Sequence, residues 1–219
     1  MTLRLHDHPY SSYCQKVRIA FYETGTPFET TTLDFGDPES RAAFEALWPV
    51  AKFPVLEDTA RGEIVPETSI IIEYLDRHYP GPAPLIPRDP DQALKARFWD
   101  RFFDLHIQNH LQAIVGNRLR PAGEKDPYGS TEAHRRLDVA YGALEDRLGD
   151  GPWMLGEAFT IADCSAAPAL RYIDKVHPLD GHPKIEAYLQ RLLERPSFVR
   201  ALEDAAPYGE LMPKETEAA

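Results

Sequence analysis

Two serines, a cysteine and two tyrosines lie close together near the start of the chain, in the run Tyr10-Ser11-Ser12-Tyr13-Cys14. Hydroxyl and thiol groups donate hydrogen bonds, and a thiol that loses its proton becomes a strong nucleophile. The residues before the run alternate between apolar and polar side chains, as in a half-buried strand. The apolar residues after it recur with helical spacing as far as Gly25. We therefore predict a strand-to-helix turn that carries these groups.

The predicted turn places a serine at the entrance of a helix. Either Ser11 or Ser12 is suited to cap this helix, because a serine oxygen accepts a hydrogen bond from a free N–H group of the first turn. The other free N–H groups and the positive end of the helix dipole favour a thiolate or another anion at the same place. The turn is thus a candidate anion site as well as a helix cap.

The composition is that of a globular protein with one large or two small domains. The chain has 219 residues, of which 43% are apolar and 11% are aromatic. No apolar run approaches the roughly 20 residues that cross a bilayer. The first residues enter a strand pattern directly and show no signal peptide. We expect a cytoplasmic protein without a membrane partner.

Charge and cysteine content limit the partners further. The formal net charge is −11 and no basic run offsets it, so nucleic acid is not expected as a partner. Cys14 and Cys164 lie far apart in sequence, which is typical of a reducing compartment, although a bridge between them stays open at this stage. His6 and His8 are not completed by further metal-ligating residues, so no metal is expected.

The first part of the chain shows the order strand, helix, strand, helix, strand, strand, helix. β-branched residues favour the second strand over residues 27–33. Pro54 interrupts the third strand pattern, so it should lie at a strand start or edge or follow a cis peptide bond. A turn at Arg61-Gly62 leads into the last strand. The final helix of this unit opens at Pro66-Glu67-Thr68-Ser69.

A proline-rich linker over residues 80–90 follows this unit. Beyond the linker the apolar residues recur with helical spacing, and no strand pattern is found. We therefore predict an α/β domain over residues 1–79 and an all-helical bundle over residues 91–219. The charged tail after Pro213 is expected to be frayed.

A capping box is predicted at Thr160-Ile161-Ala162-Asp163, where an alanine-rich helix begins. In such a box the threonine caps the first turn and the aspartate returns a hydrogen bond to the threonine backbone. Asp163 is therefore interpreted as structural, and its substitution should impair folding first and activity only secondarily.

Four collinear motifs resemble those of the cytosolic glutathione transferase family, and the resemblance covers nearly the whole chain. The motifs are Ser11-Ser12-Tyr13-Cys14 followed by Arg18, Lys52-Phe53-Pro54-Val55-Leu56, Glu67-Thr68-Ser69-Ile70-Ile71-Ile72-Glu73-Tyr74-Leu75, and Phe159-Thr160-Ile161-Ala162-Asp163. They are similar to the family's serine-type active-site turn, its cis-proline element, its Glu-Ser signature and its helical capping box. The resemblance implies a thioredoxin-like N-terminal domain, an all-α helical-bundle C-terminal domain and a homodimer.

The resemblance also implies roles for residues of the first turn and the proline element. Ser11 would donate a hydrogen bond to the sulfur of glutathione, the co-substrate, and so lower the pKa of its thiol. Ser12 is expected to lie in the same glutathione-binding turn. Phe53 would offer its backbone N–H and C=O groups to the cysteinyl part of glutathione, with Pro54 in cis to expose them.

Further residues are expected at the two charged ends of glutathione. Glu67 would pair with the γ-glutamyl ammonium, while Thr68 would hold the γ-glutamyl carboxylate at a helix N-terminus. Lys52 is a candidate for the glycyl carboxylate. Cys14 is interpreted either as a buried inert thiol, which is the favoured reading, or as a partner in a mixed disulfide with glutathione.

The electrophile pocket is the least determined part of the site. An aromatic face of the first long helix could border it, with two tyrosines opposite, although such a stripe more often belongs to the core. The candidates are Tyr10, Tyr13, Trp99, Phe102, Phe103 and His106. The chain also departs from the family pattern, because Trp48-Pro49-Val50-Ala51 replaces the Asn-Pro-x-Gly that precedes the lysine.

The resemblance leaves three functions open. The first is a detoxification enzyme that adds the glutathione thiolate to a small hydrophobic electrophile or uses it against a hydroperoxide. The second is a glutathione-dependent cis-trans isomerase of the maleylacetoacetate type, which consumes no glutathione. The third is a glutathione-binding or ligand-carrying protein without turnover.

Overall fold

The computed structural model describes residues 2–34 and 36–211. The described chain begins with a four-stranded mixed sheet of spatial order β2-β1-β3-β4. The strands are β1 (Leu3–Asp7), β2 (Glu29–Thr32), β3 (Val55–Asp58) and β4 (Glu63–Pro66). β1 runs parallel to β2 and antiparallel to β3, and β3 runs antiparallel to β4.

The register of the strands brings three connecting segments to one edge of the sheet. His6, near the end of β1, is opposite Val55 at the start of β3. Val55 is in turn opposite Pro66 at the end of β4. The segments that follow β1, precede β3 and follow β4 therefore emerge side by side, and these are the segments in which the sequence predicts the site.

Three helices cover the sheet, namely α1 (Ser12–Thr24), α2 (Pro38–Leu47) and α3 (Thr68–His78). The alternation of side chains along the strands separates two faces. Leu5 and its partner Leu56 belong to the main core with α1 and α3, whereas Val55 packs with Phe44 of α2 in a small second cluster. The sheet is thus sandwiched between α2 and the α1–α3 pair.

The second half of the described chain is helical, as expected. Its α-helices are α4 (Pro90–Phe102), α5 (Asn109–Leu119), α6 (Pro127–Glu145), α7 (Ile161–Ile173), α8 (Pro183–Leu193) and α9 (Pro196–Ala205). A π-helical turn (Phe103–Gln108) joins α4 to α5, and short 3₁₀ turns occur at Ala122–Glu124 and Ala206–Leu211. The core is continuous from the sheet to these helices, because α1 packs against both α7 and α9.

The capping box at the start of α7 is confirmed. The Thr160 oxygen accepts from Ala162 N–H, and the buried Asp163 carboxylate accepts from the Thr160 backbone at 2.8 Å. Asp163 also accepts from Met154 N–H at 2.8 Å and from the Tyr188 hydroxyl at 2.5 Å. The carboxylate therefore fixes the loop before α7 and the neighbouring helix α8, which is a structural task.

Several local expectations are also confirmed. The Phe53–Pro54 bond is cis, and Gly25 ends α1 in the left-handed conformation. The second strand is shorter than expected, because only Glu29–Thr32 pair with β1. The division into domains at residues 80–90 stays a prediction, and the tail after Pro213 lies outside the described residues.

Candidate active site

Ser11 lies at the entrance of α1, and its side chain is arranged to donate. Its backbone is extended, and its oxygen accepts from Cys14 N–H at 3.4 Å, so it is the N-cap residue. The Ser11 N–H in turn donates to His8 C=O at 2.9 Å, which fixes the turn. Within the described residues the Ser11 hydroxyl proton has no protein acceptor. A half-buried hydroxyl is thus left with one hydrogen bond to give, beside the positive end of a helix.

The N-terminus of α3 is the second anion-binding element at this edge. Glu67 precedes it with φ of 72°, a conformation that L residues rarely adopt. No side chain caps this helix, in contrast to α1, so its first-turn N–H groups are not satisfied from within the cap. Thr68 is buried at this terminus and Glu67 is exposed. Strained backbone of this kind is found at ligand clamps, and it motivates the functional interpretation below.

The cis bond between Phe53 and Pro54 lies between these two helix entrances. It precedes β3, whose first residue Val55 is buried and paired to both neighbouring strands. Phe53 is half-buried, whereas Lys52 is exposed. The three segments together bring two helix N-termini, a backbone edge and the exposed Lys52 side chain to one edge of the sheet, and we name this edge the groove. These donors suit a peptide-like dianion.

Ser12 and Tyr13, next to Ser11, face the helical domain. The buried Ser12 hydroxyl donates to Gln108 Oε1 at 3.1 Å, so its proton is already used inside the protein. The Tyr13 hydroxyl donates to Asn109 Oδ1 at 3.4 Å, and burial together with the nearby Asp104 raises its pKa. Of the two serines, only Ser11 therefore has a hydroxyl proton available to a ligand in the groove.

A buried ion network joins both helix entrances to α4. Lys16 Nζ of α1 lies 2.7 Å from Asp100 Oδ1, 2.8 Å from Asp104 Oδ2 and 3.1 Å from Ser69 Oγ. Ser69, in the first turn of α3, also donates to Asp100 at 2.6 Å. The sequence analysis missed this network, and the only signal in the sequence is a lysine among the apolar residues of α1.

The thiol of Cys14 does not reach the groove. It is fully buried, burial raises its pKa, and Asp7 raises it further. The sulfur accepts from His8 N–H at 3.5 Å, and both Cys14 and Cys164 are free thiols. This environment agrees with the inert-thiol interpretation.

The aromatic candidates for the electrophile pocket divide into two groups. Phe103 and Trp99 are part of the core, with exposed fractions of 0% and 8%, so they offer little or no surface to a ligand. Phe102 is half-buried, and the exposed His106 ring lies 5.2 Å from it. Tyr10 is half-buried beside Ser11, and its hydroxyl donates to Gly209 C=O at 3.4 Å.

Neither a metal centre nor a membrane span is found in the described part of the chain. No group of three His, Cys, Asp or Glu side chains there is placed to hold a metal ion. His6 Nε2 instead lies 3.1 Å from Glu57 Oε2. Among residues 2–34 and 36–211, no helix has the length and apolar character needed to cross a membrane.

The fold is a thioredoxin-like α/β domain followed by a helical bundle, and the α1 entrance is a candidate anion site. The family model described as "Glutathione S-transferase, N-terminal domain" matches residues 5–83, and the one described as "Glutathione S-transferase, C-terminal domain" matches residues 118–191. The chain belongs to the glutathione S-transferase family.

Three similar proteins illustrate the range of the family. The chain is 32% identical to a glutathione S-transferase-like protein LUC7 from Fusarium sp over 184 residues, which are 82% of this chain and 83% of that protein. It is 27% identical to a probable maleylacetoacetate isomerase from Caenorhabditis elegans, covering 93% and 94% of the two chains. A glutathione S-transferase from Methylobacillus flagellatus, solved with glutathione bound, superposes with a TM-score of 0.82 at 25% identity, covering 91% of this chain and 98% of that one.

Proposed function

We propose that this protein activates glutathione as a thiolate at Ser11 and transfers it to a small hydrophobic electrophile. The observation that carries the proposal is the Ser11 hydroxyl, which accepts from Cys14 N–H and keeps its own proton for a ligand. Its place at the positive end of α1 favours a neighbouring anion. The glutathione bound to the relative from Methylobacillus flagellatus supports this choice of ligand.

The other proposed contacts to glutathione come from segments at the same edge of the sheet. The uncapped N-terminus of α3 would receive the γ-glutamyl carboxylate at Thr68, with the Glu67 carboxylate pairing with the γ-glutamyl ammonium. The backbone of Phe53, before the cis Pro54, would hold the cysteinyl part. Lys52 is exposed and would pair with the glycyl carboxylate. With glutathione bound in this way, its sulfur would lie beside Ser11.

The chemistry requires little beyond this arrangement. A free thiol has a pKa of about 8.5 and is mostly protonated at neutral pH. A hydrogen bond donated to the sulfur stabilises the thiolate and lowers its pKa, so that more nucleophile is present at pH 7. The thiolate then forms a carbon–sulfur bond with the electrophile. In a substitution the leaving group departs with the electron pair of its bond to carbon. In an addition to a double bond the adjacent carbon takes up a proton. Serine acts as a donor throughout and forms no covalent intermediate.

The test is a titration of bound glutathione followed by the ultraviolet absorbance of the thiolate. In wild type the thiol should titrate well below its free pKa, and in Ser11→Ala its pKa should rise by about 1 unit or more, equivalent to about 1.4 kcal/mol. Conjugation to an aromatic halide should fall in parallel. Glutathione binding with an unchanged pKa in Ser11→Ala would instead favour a ligand-carrying protein without turnover.

A glutathione-dependent cis-trans isomerase is the second candidate. It is favoured by the similarity to a probable maleylacetoacetate isomerase over nearly the whole chain. In that reaction the same thiolate adds to an enone, the carbon–carbon bond rotates, and the thiolate leaves again. The two candidates differ in their products, because isomerisation gives a rearranged substrate and leaves the amount of glutathione unchanged. A hydroperoxide reaction would be recognised by the formation of oxidised glutathione.

We also propose a homodimer, located in the cytoplasm, that forms through α3 and α4. Ile70, Leu94 and Phe98 on these helices are 54%, 68% and 54% exposed, which is high for large apolar side chains. Light scattering should therefore give twice the monomer mass, and Phe98→Glu should give the monomer. Val139→Glu, which changes a valine of α6 that is 64% exposed, is the matched control and should leave the mass unchanged.

A further inference from the structure

Two histidine rings of the helical part of the chain meet outside the residues assigned to glutathione and to the electrophile. His134 lies on α6 and His177 follows the end of α7, and their Nδ1 atoms are 2.9 Å apart. The centroids of the two rings are 5.0 Å apart. Both residues are half-buried and thus partly open to solvent. The sequence analysis did not single out this pair, because 43 positions separate its two members.

Three contacts fix the position of His177. Its Nε2 lies 2.9 Å from Asp138 Oδ1, and the Tyr141 hydroxyl donates to its C=O at 2.9 Å. Its N–H donates to Ile173 C=O at 2.8 Å. His134, Asp138 and Tyr141 have the spacing i, i+4 and i+7, so they share one face of α6. That single helix face therefore supplies an imidazole, a carboxylate and a hydroxyl group to the region of His177.

The contact with Asp138 determines which ring nitrogen of His177 carries a proton. A carboxylate only accepts, so His177 Nε2 must be the donor. In the neutral ring, Nδ1 is then an acceptor whose lone pair faces His134. The hydrogen bond between the rings therefore contains one proton, which belongs to His134 Nδ1. When that proton is displaced and His134 carries its proton on Nε2 instead, two imidazole lone pairs face the same point.

Two convergent imidazole nitrogens are suitable ligands for Zn²⁺ and for related borderline divalent cations. Zn–N bonds of about 2.0–2.1 Å at a tetrahedral angle keep two nitrogens roughly 3.3 Å apart, so the rings need to separate by only about 0.4 Å. A carboxylate on the far nitrogen of a ligating histidine is the usual support for such a ligand. Among the described residues no third His, Cys, Asp or Glu joins the pair, so water completes the coordination.

We propose that His134 and His177 bind one divalent cation of the zinc type through their Nδ1 atoms, while Asp138 holds the His177 ring in position. The ion takes the place of the proton between the rings. It links α6 to the segment that follows α7 and so stabilises this part of the helical bundle. None of these residues is used by the proposed function, so the inference stands independently of it.

The site is tested by calorimetric titration of the untagged full chain with Zn²⁺, at a pH of about 7.5 where free imidazole is mostly neutral. Wild type should bind one ion per chain. Asp138→Asn should weaken this binding by about tenfold, as expected for the loss of a group that orients a ligand. His134→Gln and His177→Gln each remove a ligand and should weaken it by more than Asp138→Asn does. His78→Gln, which changes a half-buried histidine of α3, is the matched control and should bind as wild type does.

Two further measurements report on the coordination and on its structural effect. X-ray absorption of the zinc-loaded wild type should show two imidazole ligands at about 2.0 Å. The melting temperature should rise with the Zn²⁺ concentration in wild type and in His78→Gln, because the ion binds the folded chain. It should not rise in His134→Gln or His177→Gln. Circular dichroism establishes that each variant is folded before its binding is measured.

Three results would overturn the site. They are a wild type that does not bind one Zn²⁺ per chain, binding that the two histidine variants leave unchanged, and an absorption spectrum without two imidazole ligands. The contact between the rings is then a structural hydrogen bond alone. If a histidine variant does not fold, the other histidine variant and Asp138→Asn decide, because the Asp138 side chain is 69% exposed and its replacement is tolerated.

Discussion

Lys16 Nζ lies 2.7 Å from Asp100 Oδ1, and this buried ion pair connects α1, which carries the Ser11 cap, to α4 of the helical bundle. Its lysine is fully buried, and its aspartate also accepts hydrogen bonds from Ser69 at 2.6 Å and Ser165 at 2.5 Å. The same lysine contacts Asp104. The relative position of the two helix entrances in the site therefore depends on one buried cation held by two carboxylates.

Replacement of that cation should be strongly destabilising. Lys16→Met leaves two carboxylates buried without their counter-charge, and we expect the free energy of unfolding to fall by about 3–5 kcal/mol. Urea denaturation measures the change. The control Lys95→Met, at an exposed position of α4, should stay within about 0.5 kcal/mol of wild type. A loss below about 1 kcal/mol in Lys16→Met would show that the network is not needed for stability.

The two adjacent serines should have separable effects. Ser12→Ala removes the hydrogen bond to Gln108 and leaves a buried oxygen unsatisfied, so it should lower stability by about 1–3 kcal/mol. It should leave the pKa of bound glutathione unchanged, because the Ser12 hydroxyl does not face the groove. Ser11→Ala should lower stability by about 1 kcal/mol through the lost cap and should also raise that pKa. Urea denaturation and the thiolate titration together measure both effects, and a raised pKa in Ser12→Ala would contradict the assignment.

Neither cysteine should react in the folded protein. Burial raises the pKa of Cys14 and of Cys164, so thiolate is scarce, and both side chains are fully buried. We expect less than one thiol per chain to react with an aromatic disulfide reagent under native conditions, and two after unfolding in urea. Rapid native labelling of Cys14, located by mass spectrometry, would instead support a mixed disulfide with glutathione.

Asp58 should make stability depend on acid pH. Burial by itself would raise its pKa, but hydrogen bonds from Tyr79, Tyr74 and two backbone N–H groups outweigh burial and lower the pKa below its ordinary 3.8. A carboxylate with a lowered folded-state pKa stabilises the protein above its unfolded pKa, and this stabilisation is lost as the pH falls through the folded value.

The comparison of wild type with Asp58→Asn over an acid series of urea titrations tests this linkage. Wild type should be more stable at pH 7, and the difference should narrow below a pH of about 4, where the unfolded carboxyl takes up its proton. At alkaline pH the stability of wild type depends on Tyr74, whose pKa is raised to about 12 in the folded protein. Because the unfolded tyrosine loses its proton at a lower pH, wild-type stability should fall above a pH of about 10. A difference that stays constant from pH 7 to pH 3 would contradict the role of Asp58.

The sequence by itself determined the features that arise between near neighbours in the chain. The Ser11 cap, the Gly25 stop, the turn before β3 and the Thr160–Asp163 box each depend on the backbone of a few consecutive residues. Local hydrogen bonds and allowed φ values restrict such segments strongly, so residue type is sufficient to predict them. The order and spacing of the four motifs then indicated the family, and the family implied the fold.

The tertiary structure decided what depends on distant parts of the chain. Only packing shows that the Ser12 hydroxyl donates to Gln108 and that Phe103 lies in the core. It also shows that Lys16 is paired with two aspartates. The same holds for Lys175, which is placed beside Tyr10 by a contact across more than half of the sequence. Helical spacing tells which face of a helix is apolar, but not which neighbour covers that face or which charge is left without a partner.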